Sequence, residues 1–195
     1  EIEQMTNRPV ALRESLASTA TLGELALGEE AVSRDGTAKR LWRCADGSLI
    51  ESVLMPYATG RRTACISSQA GCAMGCTFCA TGQMGRKRSL PAGEIFEQAA
   101  RLSAELRRRD ERLSNVVFMG MGEPFRNYDA VLEAARRIMS DLGIGARHIT
   151  ISTVGIVPKI IEFADLCAAE GLEIPLADAD SSRNCASAAR TRPCR

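Results

Sequence analysis

Polar and apolar positions change rhythm near residue 60. Before it, Pro9 to Leu16 fits a short helix. Lys39 to Arg43 and Leu49 to Met55 alternate as two strands around Asp46-Gly47, a hairpin turn pair. Pro56 and Gly60 punctuate a linker. From Arg62 the pattern becomes strand, helix, strand, helix. Thr63 to Ser68 predicts a strand, and Glu94 to Arg109 a helix with Ile95, Ala99, Leu102 and Leu106 on one face. Val116 to Met119 reads as a buried strand. Asn127 is placed to cap a helix striped by Val131, Leu132, Ala135, Ile138, Met139 and Leu142, with Gly143 ending it. His148 to Thr153 alternates as a further strand. Pro158 opens a helix with Ile160, Ile161, Ala164 and Cys167 inward and Gly171 at its end, and Leu172 to Leu176 begins a last strand.

Alternation of this kind predicts parallel β/α units. The expected fold class is α/β: three β/α units of an incomplete barrel over residues 61–176, with a small accessory region over residues 1–60. Three units and a strand fragment do not close a barrel, so the last strands are expected to present an unpaired edge, an aggregation risk. After Ala177 the pattern collapses. Residues 177–195 carry several arginines and no periodicity, and read as a disordered tail. A break in mid-strand is the mark of a truncated or frame-shifted product.

Composition narrows the class. At 195 residues, 45% of them hydrophobic, the chain can bury one core. A net charge of +1 advertises no general affinity for nucleic acid. Arg86-Lys87-Arg88, Arg107-Arg108-Arg109 and Arg136-Arg137 read first as solvated faces and second as RNA contacts. No apolar run approaches a membrane span. The chain begins at Glu1, so a true start and any targeting peptide would lie upstream. The eight cysteines do not suit a small disulfide scaffold in a chain this rich in core residues; a tight cluster suggests metal.

That cluster is Cys72, Cys76 and Cys79, spaced by three residues and then two. Three thiolates on one loop can hold three irons of a cubane and leave the fourth iron free to bind a ligand. The alternative is structural zinc, which wants four closed ligands. Cys65 or His148 would then have to be the fourth.

Other candidates carry weaker signals. Gly120-Met-Gly-Glu-Pro124 follows a strand, where β/α folds bind ligands, and Glu123 offers a carboxylate for an ammonium. A plain tight turn would look the same, and Phe125 spoils a dinucleotide fingerprint. Ser152 ends a strand and could contact a ligand or only its own backbone. Glu51 alternates with apolar neighbours, the usual pattern of a solvated face. Cys65 reads as a small buried residue.

Together these stretches resemble a known family. The Cys-x-x-x-Cys-x-x-Cys loop resembles the radical SAM signature. Cys65-Ile-Ser-Ser-Gln-Ala-Gly-Cys72, Met119-Gly-Met-Gly-Glu-Pro124, Ile149-Thr-Ile-Ser-Thr153, Arg34 to Arg43 and Met5 to Pro9 are similar to the RlmN-type dual-specificity RNA methyltransferases, over about residues 4–176. The resemblance implies a partial radical SAM barrel, one [4Fe-4S] cluster and S-adenosyl-L-methionine chelated at its open iron. It implies methylation of carbon 2 of adenine in 23S rRNA and tRNA. A radical drawn from the cofactor would activate a methyl group carried on a protein cysteine, and a second cysteine would resolve the adduct.

Residue by residue, it implies Cys72, Cys76 and Cys79 as cluster ligands and Gly122, Glu123 and Ser152 as cofactor contacts. It implies Glu51 as proton acceptor and Cys65 as resolving cysteine. It further implies an electron donor such as flavodoxin or ferredoxin, no membrane, a monomer, and a cytoplasmic location or an organellar one behind a targeting peptide. The chain leaves the family pattern after Leu176. No residue aligns with the methyl-carrying cysteine, and Cys185 and Cys194 lie in the unrelated tail. Methyl transfer by this chain as written is therefore not expected. The rival readings are an inactive cluster-binding product and a zinc-dependent RNA-binding module.

Overall fold

The computed structural model describes residues 7–19 and 23–178. The expected disordered tail lies outside them, apart from Ala177 and Asp178. A helix α1 (Val10–Thr19) precedes three antiparallel strands, β1 (Ala26–Val32), β2 (Ala38–Arg43) and β3 (Leu49–Pro56). Next come β4 (Arg62–Cys65), then β5 (Gln69–Cys72), α2 (Ala80–Gln83) and β6 (Gly85–Ser89). The remainder alternates: α3 (Ala92–Arg107), β7 (Asn115–Phe118), α4 (Tyr128–Leu142), β8 (Ile149–Thr153), α5 (Val157–Glu170) and β9 (Leu176–Asp178).

One sheet runs β1-β2-β3-β4-β7-β8-β9, and β5 pairs with β6 as a separate hairpin. The step from antiparallel to parallel pairing falls at β4, which pairs antiparallel with β3 and parallel with β7. Residue 60 lies in the tight turn between β3 and β4, where Gly60 N–H donates to Tyr57 O at 3.0 Å. The antiparallel strands are thus continuous with the parallel ones. β1 and the β5–β6 hairpin were not anticipated. β1 is exposed along its length and carries an irregularity between Leu27 and Glu29, and such strands leave little period-2 signal.

The parallel strands follow chain order without reversal. Right-handed crossovers then place α3, α4 and α5 on one face, as in the wall of a barrel. That face is the core, where Ala64, Ile66, Val116, Phe118, Ile149 and Ile151 are at most 1% exposed. The expected α3 stripe is buried as read: Ile95 and Ala99 are 0% exposed, Leu102 and Leu106 1%. Substituting either leucine by alanine would remove roughly 2–5 kcal/mol.

Three expectations are corrected. In α5 the inward residue is Phe163, which meets Phe125 with ring centroids 5.6 Å apart. This aromatic anchor rotates the helix so that Ile161 is 57% exposed and Ala164 lies outward, while Ile160 and Cys167 are half-buried. The last strand spans Leu176–Asp178, not Leu172–Leu176. Pro175 has no N–H to give a ladder, so pairing starts after it, although its carbonyl accepts from Ile151 N–H at 3.0 Å. Asn127 does not cap α4 with its side chain. Its Nδ2 donates instead to Ser68 O at 2.8 Å and Leu90 O at 2.7 Å.

Candidate functional site

Strand register brings the candidate residues to the face opposite the helices. Val53 pairs with Cys65, Cys65 with Val117, and Val117 with Thr150. Paired residues share a face, so these four form a row across the sheet. Two residues further toward the carboxyl ends of the parallel strands, the same register puts Glu51 on β3 and Ser152 on β8 at one level. They stand about 7 Å above the Cys65 row and about 15 Å apart across three strand spacings. Glu51, Cys65 and Ser152 therefore line one inner face, at the end where barrel enzymes bind ligands.

Glu51 is half-exposed and 3.0 Å from Lys39 Nζ on neighbouring β2. Exposed pairs of this kind contribute at most about 1 kcal/mol. Its backbone is held more firmly: Ser67 Oγ donates to Glu51 O at 2.5 Å and accepts from Met121 N–H at 2.8 Å.

The β5–β6 hairpin leaves the end of β4 and carries the three cysteines. Cys72 closes β5 and is buried; Cys76 and Cys79 sit on the following turns, half-exposed, and all three thiols are free. Gly71 and Gly75 adopt φ of 76° and 64°. A Cβ on Gly71 would lie 2.0 Å from Gly85 O across the hairpin. Glycine is therefore required for this approach. Burial pushes the Cys72 thiol up, and the nearby thiols of Cys76 and Cys79 and the Glu123 carboxylate push in the same direction. A bound cation would invert that cost, because thiolates ligate it deprotonated. Gln69, which opens the strand that Cys72 closes, accepts from Glu123 N–H at 3.1 Å, so the cysteine hairpin and the Glu123 loop are directly joined.

Among the described residues, no three His, Cys, Asp or Glu side chains are grouped to hold a single metal ion. His148 lies in the turn before β8, at the opposite end of that strand from the cysteine hairpin, with its Nδ1 3.3 Å from Asn115 Nδ2. It is no fourth ligand for a zinc at Cys72. A cubane asks less of the loop, since each thiolate binds its own iron. The donor set, three free thiols on one glycine-turned hairpin, fits such a cluster.

Glu123 is 2% exposed and fully oriented. Its Oε1 accepts from Thr153 Oγ1 at 2.7 Å and Phe125 N–H at 3.0 Å, and its Oε2 from Val154 N–H at 2.9 Å. A carboxylate can accept about four such bonds, so one lone pair is left. Gly122 has φ 99°, and a Cβ there would lie 2.5 Å from Gln69 Cβ. A Cβ on Gly120 would come within 2.7 Å of Ile66 O and Ser67 Oγ. The glycines let this loop seat directly on the exit of β4.

Sequence reading missed the polar side chains that join these pieces. Gln98, 0% exposed on α3, accepts from Ser67 N–H and donates to Ser67 O, both at 2.9 Å. Gln69 bonds Glu123 N–H at 3.1 Å and Ser89 Oγ at 3.1 Å. Arg88, read as part of a solvated run, grips Glu94 at 2.8 and 2.9 Å and Asp46 at 2.6 and 3.2 Å. It fastens β6 to α3 and to the β2–β3 turn. Isolated polar residues at helix or strand positions give no periodic signal. Only the buried position of Gln98 within the Ile95, Ala99, Leu102 stripe could have drawn attention.

Comparison with known proteins fits this geometry. The model of the Radical SAM superfamily matches residues 66–185. The chain is 52% identical over 180 residues to a protein named probable dual-specificity RNA methyltransferase RlmN from Mycolicibacterium vanbaalenii, covering 89% of this chain and 48% of that protein. A protein of the same name from Heliobacterium modesticaldum is 50% identical, covering 85% and 45%. The chain thus spans about half the length of the curated relatives it matches. The crystal structure of a radical SAM methyltransferase from Sphaerobacter thermophilus superposes with a TM-score of 0.83 at 43% identity, over 91% of this chain and 52% of that one.

Proposed function

This chain belongs to the radical SAM superfamily, and from that premise we propose that it forms the cofactor-binding half of an adenine-C2 RNA methyltransferase of the RlmN type. Cys72, Cys76 and Cys79 hold one [4Fe-4S] cluster, and S-adenosyl-L-methionine binds against it. The reduced cluster, when bound, supplies the electron that cleaves the sulfonium cofactor. Glu123 offers its remaining lone pair to the cofactor's ammonium, with Gly122 presenting backbone beside it. Ser152 contacts the cofactor from the inner face. The observation that carries the reading is geometric: the hairpin with Cys72, Cys76 and Cys79 is joined to the Glu123 loop through Gln69 Oε1, which accepts from Glu123 N–H at 3.1 Å, just beyond the carboxyl ends of the parallel strands.

In the same reading, Glu51 takes the proton released from the adenine ring, and the Cys65 thiolate resolves a covalent adduct. Glu51 stands one level above Cys65 on the adjacent strand, so both face one substrate. The substrates are 23S rRNA and tRNA, and the reductant is a flavodoxin or ferredoxin. No helix among the described residues is long and apolar enough to cross a membrane. The protein works as a cytoplasmic monomer. Among the described residues no cysteine is placed as methyl carrier: Cys44 is in the core and Cys167 is on α5. The alternative, a cluster-binding product without methyl transfer, rests on that observation.

The test is anaerobic reconstitution with iron and sulfide, then S-adenosyl-L-methionine labelled on its methyl group, a reductant and an adenine-containing RNA hairpin. The reading predicts reductive cleavage of the cofactor, with no methylated adenine from residues 1–195 alone. A colourless protein that leaves the cofactor intact would overturn it. Labelled 2-methyladenine would overturn the account of the missing methyl carrier.

A further inference from the structure

Two parts of the proposed site come from different stretches of chain: the thiols from the β5–β6 hairpin, and the Glu123 carboxylate from the loop after β7. One side chain joins them. Gln69 opens β5, three residues before Cys72, and is 1% exposed. Its Oε1 accepts from Glu123 N–H at 3.1 Å, and its Nε2 donates to Ser89 Oγ at 3.1 Å. Ser89 is its partner across the hairpin. The Gln69 backbone N–H donates to Met121 O at 3.0 Å. Gly122 lies so close that a Cβ there would reach Gln69 Cβ and Cγ at 2.5 and 2.6 Å. The Glu123 carboxylate is then fixed from its far side by Thr153 and Val154.

We infer that Gln69 is a positioning residue: it sets the place of the Glu123 carboxylate relative to the cysteine hairpin, and through that the affinity for a cofactor that must reach both. This rests on the proposed function above. The physical reason is that two loops meeting at a ligand lose affinity when either drifts, even if each is intact. The amide suits the task because both of its ends are occupied. The Glu123 N–H requires an acceptor, which fixes Oε1 toward it. Ser89 hydroxyl, able to give or take, completes the other end. A side chain of equal length without these groups would fill the space and release the link.

The experiment uses the full chain with Gln69→Met, Gln69→Glu and Ser89→Ala. In the metal-free protein, exchange of the Glu123 amide proton is expected to speed up about tenfold in Gln69→Met, as a buried N–H loses its acceptor. It should recover in Gln69→Glu, which keeps an acceptor there. After reconstitution, Gln69→Met should keep the iron content of the unsubstituted chain, yet bind S-adenosyl-L-methionine about tenfold more weakly by equilibrium dialysis. The change that the cofactor induces in the electron paramagnetic resonance signal of the reduced cluster should weaken in step. Ser89→Ala, which frees only the hairpin end, should weaken binding about threefold, and it carries the test if Gln69→Met does not fold.

Unchanged cofactor affinity with full iron would overturn the inference while sparing the proposed function. Iron and affinity falling together in proportion would also overturn it, since that is the signature of general destabilisation. An unsubstituted chain that takes up no iron would overturn both.

Discussion

The loop carrying Cys76 and Cys79, which follows β5, and the loop carrying Glu123, which bonds to Gln69 on β5, are built in opposite ways. Around the thiols the chain is open: Phe78 is 58% and Met84 72% exposed, and α2 has no buried residue. Around Glu123 the chain is closed: Met121, Glu123 and Phe125 are 8, 2 and 3% exposed, and the carboxylate already holds three hydrogen bonds. The Glu123 loop is held by its own hydrogen bonds, whereas the cysteine loop leaves large side chains in solvent.

The strongest way to break that contrast is to crowd the closed loop. Gly122→Ala forces a side chain at φ 99° against Gln69. A loss of about 2–4 kcal/mol is expected from strain and overlap. Denaturant unfolding should register it, whereas Gly75→Ala in the open loop, with nothing within 4 Å of its Cβ, should cost about 1 kcal/mol. Equal losses would erase the distinction.

Next in size is the clamp that fastens the cysteine hairpin to α3 and to the β2–β3 turn. Arg88→Met leaves Glu94, 6% exposed, without its guanidinium partner. Roughly 2 kcal/mol should be lost, less than for a fully buried pair because Arg88 is partly solvated. Urea titration would show it, and no change would mean the hairpin is not held there.

Acid offers a gentler probe of the same clamp. The Arg88 guanidinium, followed by the Ser48 amide, holds the Asp46 carboxyl well below its usual range. A depressed carboxyl adds stability above its unfolded pKa of about 3.9, and that stability is lost as the pH falls below it. The melting temperature should therefore drop between pH 5 and pH 3, and drop less in Asp46→Asn. An identical fall in both would remove Asp46 from the account. At the alkaline end, burial and then Glu94 push the Cys44 thiol up to about 11. In the metal-free chain, iodoacetamide at pH 8 should modify Cys76 and Cys79 about tenfold faster than Cys44. Smallest of all, Lys39→Ala should change stability by under about 0.5 kcal/mol, since its pair with Glu51 is exposed.

The same contrast explains what could be read from the chain. The α3 stripe and the parallel strands announce themselves because burial repeats with the period of the element. The cysteine spacing is legible because its chemistry is local. Phe163 escaped notice because a single aromatic outweighed the aliphatic residues around it in setting the face of α5. Asn127 looked like a cap but serves carbonyls on two other segments, Ser68 and Leu90. Gln69 and Gln98 act across 54 and 31 positions of chain, a separation that leaves no local mark. Glu51 read as a solvated residue on alternation alone. Register places it on the inner face with Cys65, above a row of residues that no single strand reveals.

Iron analysis decides whether Cys72, Cys76 and Cys79 hold a cluster. After anaerobic reconstitution, the unsubstituted chain should hold about four irons and four sulfides in a brown protein, and replacing Cys72, Cys76 and Cys79 together with alanine should abolish both metal and colour. Metal and colour that survive the triple substitution, or one tightly held zinc in the unsubstituted chain, would contradict the cluster.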